Sequence, residues 1–269
     1  HSETASAVNS RGIYDRKASN GDGGKGDFLL TSYDKSAVDW GAVASDAWWR
    51  TITADNSTGE FVWTGFDYIG EPTPWNGTGG GAVGTWPSSP KSSYFGIIDT
   101  NGLPKDSYYF YQSQWNDHVT TLHLLPTWNR SDVVFGSHND VEVVVYSDAP
   151  VIKLYLNGDE VGTATSTLNT TDQGYTYRTW TSGTEDFDQK SGHQSLYATF
   201  WVPYEAGKLE VKAFQVDGTP ITETEGRSYV ETTTDATQLT MEADRTSITA
   251  DGDDLSYITI SVKDQKGNL

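Results

Sequence analysis

The spacing of hydrophobic and polar positions changes character near residue 118. Before that point, Gly-rich loops separate a few regular elements. In "DKSAVDWGAVASDAWWRTI" (34–52) the residues Val38, Val43, Ala44, Ala47, Trp48 and Ile52 recur at helical spacing, with Asp34 or Ser36 as the capping oxygen. "EFVWTGF" (60–66) is a short apolar run with Phe and Val, which predicts a buried strand. "GLPKDSYYFYQSQW" (102–115) sets Pro104 in a first helical turn and Tyr108, Tyr111 and Trp115 on one face. Strand, long loop and helix in that order form an α/β arrangement.

Beyond residue 118 the pattern is one of strands. "DVEVVVYSDAP" alternates, and "VIKLYLNGDEVGTA" is two runs around Asn157-Gly158, a strong hairpin signal. "SLYATFWVPY" and "KLEVKAFQVDGTPI" continue it, the latter bending at Asp217-Gly218. These segments predict an all-β sandwich of immunoglobulin-like type. A third piece, "ATQLTMEADRTSITADGDDLSYITISVKDQKGNL", offers about three strands where such a sandwich needs roughly seven. The expected division is therefore 1–117 α/β, 118–231 β-sandwich and 232–269 the start of a further immunoglobulin-like domain, with both chain ends read as cut.

Composition narrows the function. The 37 acidic residues against 18 Lys and Arg give a net charge of −19, which repels nucleic acid and anionic membrane surfaces. No apolar run approaches the length of a membrane-spanning helix. The absence of cysteine removes a disulfide framework and a thiolate metal site. Together with the acidity and the Ser, Thr and Gly content, this fits an exported bacterial protein at the surface or in the medium, with a cytoplasmic location as the alternative. The 10 Trp residues are more than a core of this size needs. Sugar-binding clefts use indoles, because a pyranose presents a face of C–H bonds to the ring. Core packing remains the simpler reading for any single Trp.

Several motifs lead nowhere. "SNGDGGKGDF" has Ser19 where a phosphate loop opens on Gly, and Gly26 where it needs Ser or Thr. "GTGGGAVG" lacks dinucleotide spacing. "ADGDD" (250–254) is acidic but lacks the calcium loop's twelve-residue frame. His118, His123, His138 and His193 have no metal-ligand spacing and are read as structural. "WTGFDYIGEPTPW" is different. It sets Trp63, Asp67, Glu71 and Trp75 at and just beyond the end of a predicted strand, where α/β barrels keep their chemistry. From spacing alone, a solvated loop holds the same residues equally well.

The segments "SETASAVNSRG", "SYDKSAVDWG", "FVWTGFDYIGEPTPW", "WPSSPKSSYFGIIDTNGLPKDSYYFYQSQW" and "LYLNGDEVG" occur in this order. In that series the chain resembles the β-galactosidases of glycoside hydrolase family 2, particularly the multidomain type of Gram-positive bacteria. The resemblance is strongest over 1–117. It implies a fold in which residues 1–117 are the C-terminal end of a (β/α)8 TIM barrel, carrying strands seven and eight and the closing helix. It also implies that Glu3 is the catalytic nucleophile, Trp63 the floor of the galactose site, and Asp67 and Glu71 contacts at its border. Trp75 and Lys91 are assigned more loosely to the leaving-group side. The acid/base Glu and the earlier barrel strands would then belong to an upstream part of the same enzyme, and this chain alone would be inactive. The implied substrate is a β-galactoside such as lactose, with transglycosylation as a possible second outcome. The resemblance allows a magnesium or sodium ion, although no metal ligand is assigned.

Two rival readings are kept. One is a non-catalytic immunoglobulin-like module that binds glycans or serves at the cell surface, which residues beyond 118 alone would support. The other is the same fold acting on another sugar, as a β-glucuronidase. The Asn-x-Lys pair that such enzymes use for the uronic carboxylate is absent, and Lys91 in "SPKSS" has different flanks.

Overall fold

The computed structural model describes residues 3–16, 28–74, 91–181 and 195–269. The first region contains β1 (Thr4–Ala5), α1 (Ala44–Ile52), β2 (Val62–Trp63) and α2 (Asp106–Trp115). Strands β1 and β2 pair in parallel, Thr4 opposite Val62 and Ala5 opposite Trp63. The predicted seven-residue strand is thus only two residues long among the described residues. It is also half-buried rather than buried, with Phe61 and Phe66 exposed at its flanks.

Helix α1 begins at Ala44, six residues beyond the first apolar position of the predicted helix, and of the two expected caps it is Asp34 that reaches it. Both carboxylate oxygens of Asp34 accept backbone N–H groups at the helix start, from Ala44 at 2.8 Å and Ser45 at 2.9 Å. A carboxylate satisfies two otherwise unpaired donors there and complements the helix dipole. The residues between are not helical because Gly41 must pass against β1, where a Cβ would collide with the Ala5 carbonyl and the Ser6 side chain. Helix α2 likewise starts two residues after Pro104, at Asp106, and it brings Tyr111 and Trp115 into ring contact at 4.6 Å.

The sandwich contains β3 (Thr120–Leu125), β4 (Asp140–Ser147), β5 (Val151–Leu156), β6 (Asp159–Thr170), β7 (Thr176–Trp180), β8 (Ala198–Pro203), β9 (Lys208–Phe214), β10 (Pro220–Ile221), β11 (Thr224–Glu225) and β12 (Tyr229–Glu231). One sheet runs β10-β9-β5-β6-β7 with β12 also on β9, and the other runs β11-β3-β4-β8. The β5–β6 hairpin turns at Asn157 (φ 54°) and Gly158 (φ 95°), the pair of left-handed residues that a two-residue turn of this twist requires. Val141, Val143 and Val145 of β4 meet Ile152 and Leu154 of β5 and Leu209 and Val211 of β9 in one core.

Strand β4 is buried on both faces. Its intervening residues Val144 and Tyr146 pack with Trp48 and Ile52 of α1 and Phe110 and Tyr111 of α2. The period of two therefore sends one set of side chains into the sandwich and the other against the helices.

A buried polar cluster crosses the same junction. Asp106 at the start of α2 accepts from the Tyr14 hydroxyl at 2.8 Å and from Nε2 of His123 on β3 at 2.6 Å. Arg227 donates to the Tyr14 hydroxyl at 3.0 Å, and its backbone N–H reaches Nδ1 of His123 at 3.2 Å. With Nδ1 accepting, the hydrogen lies on Nε2 and the ring is neutral. Burial holds His123 below the ordinary histidine range. The structural reading of His123 is thereby given its partners.

The last region holds a single antiparallel pair among the described residues, β13 (Ala236–Ala243) and β14 (Ile258–Asp264), rather than three strands. The acidic turn at 250–254 is closed internally, Asp251 accepting from the backbone N–H groups of Asp253 and Asp254.

Candidate active site

The β1–β2 pair organises the site. Glu3 is exposed and stands immediately ahead of β1, so the described residues do not set it at a strand's C-terminal end. The backbone leaves β1 through two left-handed residues, Ala5 (φ 63°) at the strand's end and Ser6 (φ 55°) after it. Their carbonyls are held by the backbone N–H groups of Ala42 and Val38 at 2.7 and 3.3 Å. Left-handed non-glycine residues cost free energy and persist only where surrounding structure fixes them. The Thr4 hydroxyl donates to the Phe61 carbonyl at 3.3 Å. A cavity of about 410 Å³ opens beside Glu3, lined also by Ser6, Trp40, Asp46 and Arg50.

Trp63 is half-buried at the end of β2, packed against a core of Val8, Leu30, Val38 and Phe95. The Tyr68 ring meets it edge-on, with centroids 5.8 Å apart. The Tyr68 hydroxyl donates to Oε2 of Glu71, and the Thr73 hydroxyl donates to Oε1 at 3.1 Å. Burial first, then the hydrogen bond and negative charge of Glu71, push the Tyr68 phenol up to about 12, and the charge of Glu3 adds to the effect. Trp63, Tyr68 and Glu71 therefore form one contiguous group. Among the described residues, Glu71 is held by two hydroxyls. Another acid on this segment, Glu60, accepts from the Thr51 hydroxyl of α1 at 2.9 Å.

Asp67 requires a correction. It was expected to accept hydrogen bonds from sugar hydroxyls, yet its carboxylate is committed to the protein. Oδ2 pairs with Lys105 Nζ at 2.6 Å, and Oδ1 accepts the Gly96 N–H at 2.7 Å. With a side chain only 9% exposed, it has little surface left for a ligand. Its spacing from Trp63 gives no sign of this, because the partner lies 38 residues further along the chain. Lys91 contributes its carbonyl to Gly70 N–H at 2.9 Å, which closes the loop from behind. Trp75 lies outside the described residues.

Tyr68 and Thr73 were inside the quoted motif but were not singled out. The signal available was their position beside Trp63 and Glu71. Among the described residues, no cluster of three or more His, Asp or Glu has the arrangement of a metal site.

Comparison with known proteins bears on both regions. Residues 138–222 match a family model described as a domain of unknown function (DUF4982). The chain is 34% identical over 242 residues to the β-galactosidase BoGH2A of Bacteroides ovatus, in an alignment covering 90% of this chain and 23% of that protein. A putative β-glucuronidase of Formosa agariphila is 34% identical over 139 residues, 49% of this chain and 11% of that protein. The chain thus spans a quarter or less of the length of these curated relatives. Among solved structures, a β-glycosidase from Bacteroides vulgatus superposes with a TM-score of 0.70 at 21% identity, covering 99% of this chain and 31% of that one. A glycosyl hydrolase family 2 member from Bacteroides cellulosilyticus gives 0.51 at 24% identity, covering 83% and 26%. These two establish likeness of fold. The sequence relationship, the shared fold and the order of the motifs agree, and they place this chain beside members of glycoside hydrolase family 2.

Proposed function

We propose that this chain is the nucleophile-bearing part of a retaining β-galactosidase, with residues up to 117 contributing the last strands and closing helix of its barrel. The observation that carries this reading is the parallel pairing of β1, which directly follows Glu3, with β2, which ends on Trp63 beside Tyr68 and Glu71. The kinship with BoGH2A supports galactose as the sugar. The partner in catalysis is an acid/base carboxylate from an upstream part of the enzyme, because retaining glycosidases use two carboxyl groups about 5–5.5 Å apart.

In the first step, a Glu3 carboxylate oxygen attacks the anomeric carbon as the glycosidic C–O bond breaks. The departing oxygen takes its proton from the acid/base residue. In the second step that residue removes a proton from water, which displaces Glu3 and releases the sugar with its original configuration. An acceptor sugar in place of water gives transglycosylation. Trp63 supplies a flat apolar face for the pyranose. The Tyr68–Glu71–Thr73 hydrogen bonds fix the loop that borders it.

The relationship to a putative β-glucuronidase keeps a second sugar in view. A uronic carboxylate calls for a free cation beside the ring; Lys105, close to this loop, is buried against Asp67 and does not offer one.

The test uses the complete enzyme with aryl β-galactoside and aryl β-glucuronide substrates. The galactoside should be turned over faster, and Glu3→Gln should reduce turnover by several orders of magnitude, as for a covalent catalyst. A 2-deoxy-2-fluoro galactoside with a good leaving group should label Glu3 on peptide mapping. A label on Glu71, or faster cleavage of the glucuronide, would overturn the assignment of nucleophile or of sugar respectively.

A further inference from the structure

Lys105 is among the most deeply buried side chains of the protein, 2% exposed, and sequence patterning gave it no role. Its ammonium group gathers three segments. It pairs with Asp67 Oδ2 at 2.6 Å, donates to the Asn9 carbonyl at 2.8 Å, and reaches the Tyr94 carbonyl at 3.4 Å. Asn9 lies on the segment that leaves β1, six residues after Glu3. Asp67 lies on the loop between Trp63 and Glu71. Tyr94 belongs to the stretch behind both, where the Asn9 N–H returns to the Tyr94 carbonyl at 3.0 Å. The backbone of Lys105 is itself fixed, its N–H donating to the Ile97 carbonyl at 2.9 Å at the start of α2.

From this geometry we propose that Lys105 is a positioning residue for the glycosidase reaction, bracing the Glu3 segment against the Trp63–Glu71 loop so that nucleophile and sugar platform keep one relative placement. The inference rests on the retaining mechanism proposed above. Its physical basis is the cost of a buried charge. An ammonium removed from water is tolerated only with its full set of acceptors, and here those acceptors come from separate segments. Moving either segment would strip Lys105 of a partner, so the charge resists their relative displacement. The surroundings leave little alternative, because Gly96 packs so tightly on the Asp67 backbone that a Cβ there would collide with it. A displacement of about 1 Å between reacting groups is enough to cost on the order of a hundredfold in rate.

The experiment separates positioning from folding. Lys105→Met alone leaves Asp67 as a buried unpaired charge, so it is combined with Asp67→Asn, which removes that charge and keeps an acceptor for the Gly96 N–H. In the complete enzyme, trapping by the 2-deoxy-2-fluoro galactoside is followed by mass, and the rate constant is separated from the final labelled fraction. The paired variant should melt close to wild type and label Glu3 to completion, with a rate constant lowered about ten- to a hundredfold. Asp67→Asn alone, which keeps the lysine, should give a smaller reduction and carries the test if the paired variant does not fold. A merely structural role would lower the labelled fraction and leave the rate constant of the folded molecules unchanged, and that result would overturn the proposal. Failure to label Glu3 in the wild type would instead overturn the nucleophile assignment, and this inference with it.

Discussion

The region around β1, β2 and α2 and the sandwich behind it solve the problem of order by different means. The sandwich interlocks alternate residues of two sheets, so Val141, Val143, Val145, Ile152, Leu154 and Leu209 meet in an almost wholly apolar core. The first region has short strands and long loops, and its shape depends on buried polar joints: Asp34 on the start of α1, Lys105 with Asp67, and Asp106 with Tyr14 and His123. Apolar packing is non-directional and tolerates volume-conserving change. Buried charge is directional and fails when a single partner is lost. Directional joints hold groups at defined places, which a region of short strands and long loops cannot achieve by apolar packing alone. The sandwich supplies a firm wall, which β4 presents through Val144 and Tyr146.

Removing one member of a charged joint should have the largest effect. Asp106→Ala leaves His123 and Tyr14 without their common acceptor and Arg227 without its counter-charge 3.7 Å away, and should destabilise the protein by about 3–5 kcal/mol in chemical denaturation. A loss below about 1 kcal/mol would mean that the junction does not depend on charge. Truncation in the sandwich core, Leu154→Ala, should cost about 2–4 kcal/mol through lost burial and the cavity left behind. In contrast to the charged joint, a volume-conserving Leu154→Met should cost less than about 1.5 kcal/mol.

Acid sharpens the contrast further. His123 is held below its ordinary range, so the unfolded chain takes up that proton first and stability falls as the pH drops below about 6.5. Burial pushes Asp106 upward, but the hydrogen bonds it accepts from His123 and Tyr14 and the charge of Arg227 outweigh this and leave it lowered. Its contribution is present above about pH 3.9 and is lost only as the pH falls further, through its lower folded value. Melting temperature measured from pH 8 to 5 should therefore decline, and His123→Gln should flatten that decline. An unchanged slope would assign the acid sensitivity elsewhere. The smallest effect is local: Gly158→Ala, at φ 95°, should cost about 1 kcal/mol without altering the site.

The sequence made the sandwich legible because its information is local. Alternation along 140–147, the Asn157-Gly158 turn and the bend at Asp217-Gly218 each report on neighbours a few residues away, and the structure has strands and turns at those places. It also gave the cap of α1 through Asp34, although not the helix start, because Gly41 must cross β1 before the chain can coil. Trp63 and Glu71 were found from a motif in which they stand close together. Their linking residue Tyr68 lay in the same motif, but a hydroxyl's partner cannot be read from spacing.

What the sequence determined by itself was thus the period of each element, the turns and the family resemblance. Tertiary structure alone decided which partner each polar residue finds. Asp67 and Glu71 are two acids four residues apart in one loop. The first is held by Lys105 and Gly96, and the second is held by the neighbouring hydroxyls of Tyr68 and Thr73 at the edge of the site. The difference arises because a buried carboxylate must find its counter-charge wherever the folded chain brings one, and Lys105 arrives from 38 residues away.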